Sequence, residues 1–372
     1  MKLRAERTQF ADAVSWVTRT VGTRVSLPAL SGVYLEATTD SLICRATDLE
    51  VAAEIILPVQ VDSPGRVLLP GRLLAQLVSR FPDAPVELAS DGERVEITCG
   101  RARFRVRGMH VDDFPTLAEP QPDAPKGVLR SDAFARMVSQ VARAASSDEG
   151  RPVLTGVFLD AADGSVRTAA TDSYRLAVRT LSFETPTEGS ALIPARSLQE
   201  AAKAAAELGG SISIVIEDSQ VSFLFGDRRL TTKLIEGTFP NYQALLPDGF
   251  ETVVTVKRSA LVEALQRVAI VAMGQSNTPV SLTFSEGSIE LAATNHEMGD
   301  ATESVQATVD GEGLTIAFNP AFLLSGLDAT GTEMIRIELR DGLKPAVLRP
   351  HTKDDKDTSD DLTYLLMPMR VN

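Results

Sequence analysis

Apolar residues recur along this chain in two alternating rhythms. In the stretches RTQFADAVSWVTRTV (7–21), SDAFARMVSQVARAA (131–145) and KRSALVEALQRVAIV (257–271) they fall three and four residues apart, with Phe134, Met137, Val138 and Val141 on one face. That is the period of an amphipathic helix. A second helix is predicted in GRLLAQLVSRF (71–81), where Leu73, Leu74, Leu77, Val78 and Phe81 form one stripe, with counterparts beginning at Ala195 and Pro320. Between the helices lie alternating runs such as GVYLEA, GVFLDAADGSVRTAA and SISIVIEDSQVSFLF, several joined by an Asp-Gly or polar turn, which predict antiparallel hairpins.

The rhythms themselves repeat. The segment CRATDLEVAAE (44–54) returns as RTAATDSYRLAVR (167–179) and more faintly as LAATNHEMGDA (291–301), their threonines Thr47, Thr171 and Thr294 lying 124 and 123 residues apart. VLLPGRLLAQL, ALIPARSLQEA and IAFNPAFLLSG mark a second anchor at the same interval, and the FP of DDFPTL and GTFPNYQALLP puts Phe114 and Phe239 125 residues apart. A fixed long period signals one structural unit written several times. The expected organisation is α+β, with three domains at 1–125, 126–250 and 251–372, each of two helix-plus-strands units.

Composition changes the picture little: 44% hydrophobic and 23% charged residues describe an ordinary globular chain. The opening MKLRAERTQF lacks the apolar core of a signal peptide, and no window holds the run of about 20 apolar residues that spans a bilayer, so a cytoplasmic protein with no membrane partner is expected. Cys44 and Cys99 are the only cysteines and sit in strand-like runs; reduced, buried thiols are expected, and no metal or cofactor.

Charge matters more. The net charge is −13, which by itself disfavours a phosphate-rich partner. Yet the six helical windows 7–20, 71–81, 131–145, 195–207, 257–271 and 320–328 carry eleven cations and six anions, a net +5 that leaves −18 on the remainder. Cationic helices with an anionic exterior suit a polyanion held on the helical side. Catalysis finds no support: there is no GxxxxGK[ST] loop and no Gly-x-Ser-x-Gly elbow, His110, His296 and His351 stand in unrelated contexts, and nothing activates a nucleophile near Asp172 and Tyr174. A non-enzymatic protein is expected.

The motifs ATDSYRLAV, EGTFPNYQALLP and YLLMPMRVN, in this order and within the triplicate layout, resemble the bacterial DNA sliding clamps, the β subunits of DNA polymerase III, over all 372 residues. The resemblance implies three tandem clamp domains, two chains closing head to tail into a ring with helices lining it and antiparallel sheets outside, and double-stranded DNA threaded through. It implies a processivity factor without catalytic activity, loaded by a separate ATP-driven clamp loader and tethering the replicative polymerase's catalytic subunit and other repair and replication proteins. A clamp-like paralogue that protects its host by binding a clamp-directed inhibitor poorly is the alternative.

Three groups of residues follow from the resemblance. DNA contacts are expected at Arg24, Arg72 and Arg196, made to phosphates because a sliding contact carries no sequence information. A peptide-binding pocket is expected from Leu154, Thr171, Ser173, Tyr174, Arg175 and Leu176, from Pro240, Tyr242 and Leu245, and from the tail residues Leu365, Met367, Pro368, Met369 and Arg370. Methionine suits a pocket that serves many apolar peptides because its unbranched thioether adapts its shape. Tyr174 stands where many members of the resembled family carry another polar or aromatic ring, and Ala244 where some carry a basic residue. A dimer interface is expected from Arg103, Phe104, Arg105 and Val106 of the strand GRARFRVRGMH, which alternates arginines with apolar residues, set against Ile270, Val271, Glu297, Asp300 and Glu303.

Overall fold

A computed structural model describes residues 1–22, 27–121, 123–272, 278–351 and 362–370; Arg24 lies outside them. The described residues contain six α-helices: α1 (Arg7–Thr18), α2 (Gly71–Val78), α3 (Ser131–Val141), α4 (Ala195–Leu208), α5 (Arg258–Ala272) and α6 (Pro320–Thr330). All six coincide with the windows predicted from the apolar period, three of them running one or two residues further. Local chemistry sets their ends. The Glu6 carboxylate accepts from the backbone N–H groups of Thr8 and Gln9 at the start of α1, which holds its carboxyl below the usual value. Asn319 caps α6 in the same way, with Pro320 in its first turn and Gly331 in the left-handed conformation beyond its end.

The apolar stripe of α2 is narrower than its sequence suggests. Its buried residues are Leu74, Val78 and, just past the helix, Phe81, whereas Leu73 is 41% exposed. Residues spaced by four and three share a face, and Leu73 lies one step of about 100° away from it.

The chain forms two compact units, Met1–Val128 with Leu208–Leu234, and Leu129–Glu207 with Ile235–Asn372. In the first, the strands Gln60–Ser63, Lys2–Ala5, Val86–Asp91, Arg94–Cys99 and Ala102–Arg107 make a five-stranded antiparallel sheet in that order, with Ala102–Arg107 at its edge. Seven strands of an eight-stranded sheet belong to the same unit. There Val51–Pro58 pairs on one side with Ser41–Thr47 and on the other with Arg228–Lys233, in the register Leu230 to Ala53. Helices α1 and α2 pack on each other, and the α1 ring of Trp16 donates its N–H to the carbonyl of Glu54 at 2.9 Å.

The second unit is built on a twelve-stranded sheet. Its centre is the antiparallel series Ser165–Thr171, Arg175–Ser182, Thr363–Leu366 and Ala346–His351, so the last described strand is an interior strand, with Leu176 opposite Leu365. Helices α3, α5 and α6 lie along this sheet, and α6 touches both α3 and α5. The Gln140 side chain donates to the carbonyl of Ala329 at 2.6 Å, buried between α3 and α6. Gly326 of α6 is required by close approach, since a Cβ there would stand 2.6 Å from the Tyr364 ring.

The repeat is visible in paired aromatic rings. Tyr34 stacks on Phe114 at 5.1 Å between centroids and, 124 and 125 residues later, Phe158 stacks on Phe239 at 5.4 Å.

Candidate docking pocket and interface residues

The segment ATDSYR makes a tight loop whose side chains satisfy its own backbone. Asp172 accepts from the N–H groups of Tyr174 (2.9 Å) and Arg175 (3.0 Å), and Thr171 accepts from the N–H of Ser173 while donating to the carbonyl of Arg175. Ser173 sits at φ 80°, a left-handed conformation this network holds in place. The loop presents Tyr174 to solvent, 60% exposed. Arg151 ties the neighbouring turn, which carries Leu154, to the Ser173 hydroxyl at 3.3 Å.

The tail is fastened against this loop. Beyond the strand Thr363–Leu366, the backbone N–H of Met367 donates to the carbonyl of Tyr174 and that of Met369 to the carbonyl of Ala317 at 2.7 Å. Beneath them Leu176, Tyr242 and Leu365 belong to one apolar cluster with Ala169, Val178, Leu192, Phe239 and Val347. Around it Leu245 and Met367 are exposed by 52% and 42%, Pro368 and Met369 are half-buried, and Pro240 and Arg370 are exposed.

Sequence reasoning misses Phe322, Tyr364 and the structural part played by Asp172. Phe322 of α6 is covered on one side by the Arg175 guanidinium, 4.5 Å from its centroid, and stacks on Tyr174 at 6.1 Å. Arg175 pairs with Asp172 at 3.0 Å and donates to the Tyr364 hydroxyl at 3.3 Å, which in turn donates to the carbonyl of Phe322 at 3.1 Å. Burial pushes the Tyr364 hydroxyl above its ordinary value while Arg175 pulls it down. The result is a half-exposed aromatic and methionine surface on a stiff hydrogen-bonded frame, suited to apolar side chains. Phe322 carries no distinguishing signal, because a phenylalanine in an apolar helical stripe reads as core.

Of the expected DNA contacts, Arg72 and Arg196 stand exposed in the first turns of α2 and α4. The helix cations divide in two. Arg143, Arg258 and Arg267 are engaged within the chain, by the carbonyls of Ser139 and Ser325, by the carbonyl of Thr332, and by Glu303. Arg72, Arg80, Arg136 and Arg196 are exposed and make no ion pair among the described residues. Arg80 and Arg136 enter the charge pattern of the helices, but no motif singles them out.

At the expected interface, Arg103 and Arg105 flank Glu96 at 3.5 and 3.3 Å, and the half-exposed Phe104 lies over Phe81 at 5.8 Å. Val106 is half-buried. Ile270, near the end of α5, is 61% exposed, and Val271 is half-buried. Glu297 and Asp300 are exposed, whereas Glu303 is already held by Arg267 at 2.6 Å, which keeps its carboxyl below the usual range.

The chain matches three family models in succession: DNA polymerase III beta subunit, N-terminal domain (residues 1–118), central domain (128–241) and C-terminal domain (243–370). It is 37% identical to a protein named "Beta sliding clamp" from Streptomyces coelicolor and 36% identical to "Beta sliding clamp homolog GriR" from Streptomyces muensis, in each case over the whole of both chains. Among solved structures it is similar to the DNA polymerase sliding clamp of Bacillus subtilis (TM-score 0.93, 26% identity). It is also similar to the sliding clamp of Pseudomonas aeruginosa bound to griselimycin (TM-score 0.91, 29% identity), again over both full lengths. No helix among the described residues is long and apolar enough to cross a membrane.

Proposed function

This chain belongs to the DNA polymerase III beta subunit family, the bacterial sliding clamps, and we propose that two copies close head to tail into a ring that holds duplex DNA and tethers a polymerase to it. The observation that carries the reading is a seam made twice inside one chain. Strand Val51–Pro58 takes Arg228–Lys233 along its outer edge, and strand Arg175–Ser182 takes Thr363–Leu366 in the same way. The third copy, Gly299–Asp310, pairs through Gly299–Gln306 with Ser288–Asn295 and through Ala307–Asp310 with Thr252–Lys257, which leaves one edge of Gly299–Gln306 without a strand partner among the described residues. The edge strand Ala102–Arg107 is the matching donor.

A second copy satisfies both edges at once, and a head-to-tail contact must close or polymerise. Repeating the internal register sets Phe104 opposite Ala301 and Arg105 opposite Asp300, with Arg103 close by and Val106 near Ile270 and Val271. The three domains span 1–125, 126–250 and 251–372. The unpaired cations Arg72, Arg136 and Arg196, together with Arg24, face DNA phosphates. The pocket around Tyr174, Phe322 and Met367 receives short peptides from the polymerase, the clamp loader and other DNA-processing proteins, and the chain itself supplies no chemistry.

The test is topological. Placed on a closed circular plasmid by a clamp loader with ATP, the protein should stay bound at high salt and be lost when the plasmid is cut once. Equal retention on circular and linear DNA would contradict encirclement. The specialised-paralogue reading draws support from the near-equal identity to the Streptomyces muensis homolog; it predicts that this chain, alone with its host loader and polymerase, fails to support long processive synthesis.

A further inference from the structure

The linker loop carrying Tyr242 and Leu246 crosses a sheet face that changes character along the strands. At one level Thr171 stands beside Leu176, Leu176 beside Leu365, and Leu365 beside Val347. Two residues further along, Ala169, Val178 and Thr363 follow, and then Arg167 beside Thr180. Alternate residues share a face, so a single face passes from leucine and valine to arginine and threonine. Tyr242 and Leu246 pack over the middle level, with Ala169 and Val178.

On the polar side of that loop lies a depression of about 340 Å³, lined by Arg167, Thr180, Arg349 and Thr363 against Tyr242 and Leu246. Its guanidinium groups are under-neutralised. Arg349 donates to Thr363 at 2.6 Å and pairs with Glu338, but Glu338 also serves Arg336 at 2.9 Å. Arg167 is exposed and donates to the neutral Thr180 hydroxyl at 3.5 Å. Asp160, its cross-strand neighbour, makes no ion pair with it. Of the two arginines that line the depression, one shares its only carboxylate with Arg336 and the other has none among the described residues, on a chain whose net charge is −13.

We infer that this depression is a second subsite of the docking surface, resting on the docking reading above, and that it receives an aspartate or glutamate side chain lying outside the apolar anchor of the same bound peptide. A guanidinium offers a carboxylate two parallel N–H donors. Tyr242 lines this depression and belongs to the apolar cluster beneath the docking surface, so a peptide seated on that surface has the depression within a short reach. Leu176 and Thr180 are four residues apart on one strand, a separation of about 13 Å. An extended chain covers that in about four residues, which places the acid roughly four to six positions from the anchoring apolar residue.

Calorimetric titration of the full chain with three synthetic peptides tests this. All share one core of Gln plus apolar residues; one has neutral flanks, one an acidic N-terminal flank and one an acidic C-terminal flank. One acidic peptide should bind about fivefold more tightly than the neutral one at about 0.05 M salt, and the advantage should shrink at about 0.3 M. Arg167→Ala should abolish the advantage and leave the neutral peptide's affinity as it was. Equal affinities for all three peptides, or an advantage that survives Arg167→Ala, would overturn the subsite. Absence of binding by the neutral peptide would remove the docking reading and this inference with it.

Discussion

The N–H of Met367 meets the carbonyl of Tyr174 at 2.9 Å, and two residues later Met369 is fixed to Ala317. The tail is thus hooked at two points past its last strand and forms a wall with its own anchors. Removing residues 367–372 spares the strand Thr363–Leu366, so the chain should fold as before. Affinity for a polymerase-derived peptide of Gln plus apolar residues should fall at least tenfold, about 1.4 kcal/mol, as measured by calorimetry. Unchanged affinity would move the peptide site elsewhere.

Phe322 tests the same surface from the opposite wall. It is held between Arg175 and Tyr174, and Phe322→Ala should weaken the same peptide by about tenfold while the protein keeps its far-ultraviolet circular dichroism. Full affinity in a folded variant would make Phe322 core filler.

Tyr364 supplies a pH dependence. Its hydroxyl is pushed above the ordinary 10.0 by burial, with Arg175 opposing. The unfolded chain therefore loses this proton first, and stability present below about pH 10 is lost as pH rises through the folded-state value. Thermal denaturation should show a steeper alkaline fall in the native protein than in Tyr364→Phe. Tyr364→Phe itself should cost about 1 kcal/mol at neutral pH, through the hydrogen bond to the carbonyl of Phe322. Parallel curves for the two proteins would contradict the assignment.

Ile270 is the most exposed aliphatic side chain on α5. Ile270→Ala together with Val271→Ala should convert a dimer to a monomer in sedimentation at nanomolar concentration, since truncating aliphatics in a closed interface costs roughly 2 to 5 kcal/mol each. An unchanged mass would exclude these residues from the interface.

For DNA, changing Arg72, Arg136 and Arg196 to alanine should lower the slope of log K against log salt by about 0.9 for each phosphate no longer neutralised, whatever the base sequence. A weakening restricted to particular sequences would be incompatible with sliding.

The helices were legible because each buries one stripe at a fixed period, and Leu74, Val78 and Phe81 obey it. Pairings between distant strands were not. The middle repeat is shared between the two compact units, because strands from Ser211 to Lys233 join the sheet of Val51–Pro58. No local pattern announces a partner some 180 residues away. Nor does the charge pattern around Glu303, expected at the interface, announce the Arg267 that holds it within the chain. Single-residue charge patterns do not reveal which neighbour arrives first.

The loop around Tyr174 has a twin. Leu49 stands at φ 80° as Ser173 does, Asp48 accepts from the N–H groups of Glu50 and Val51, and Lys233 donates to the carbonyl of Glu50 where Met367 donates to that of Tyr174. The backbone is copied, but the side chains are a glutamate and a lysine in place of a tyrosine and a methionine. The first repeat offers ionic groups where the second offers an apolar seat, so on the docking reading proposed above the first repeat is no second copy of that seat. On that reading, partners that use the seat exclude one another, and which of them is present at a given moment becomes a matter of relative abundance and residence time, a queue instead of a set of reserved places.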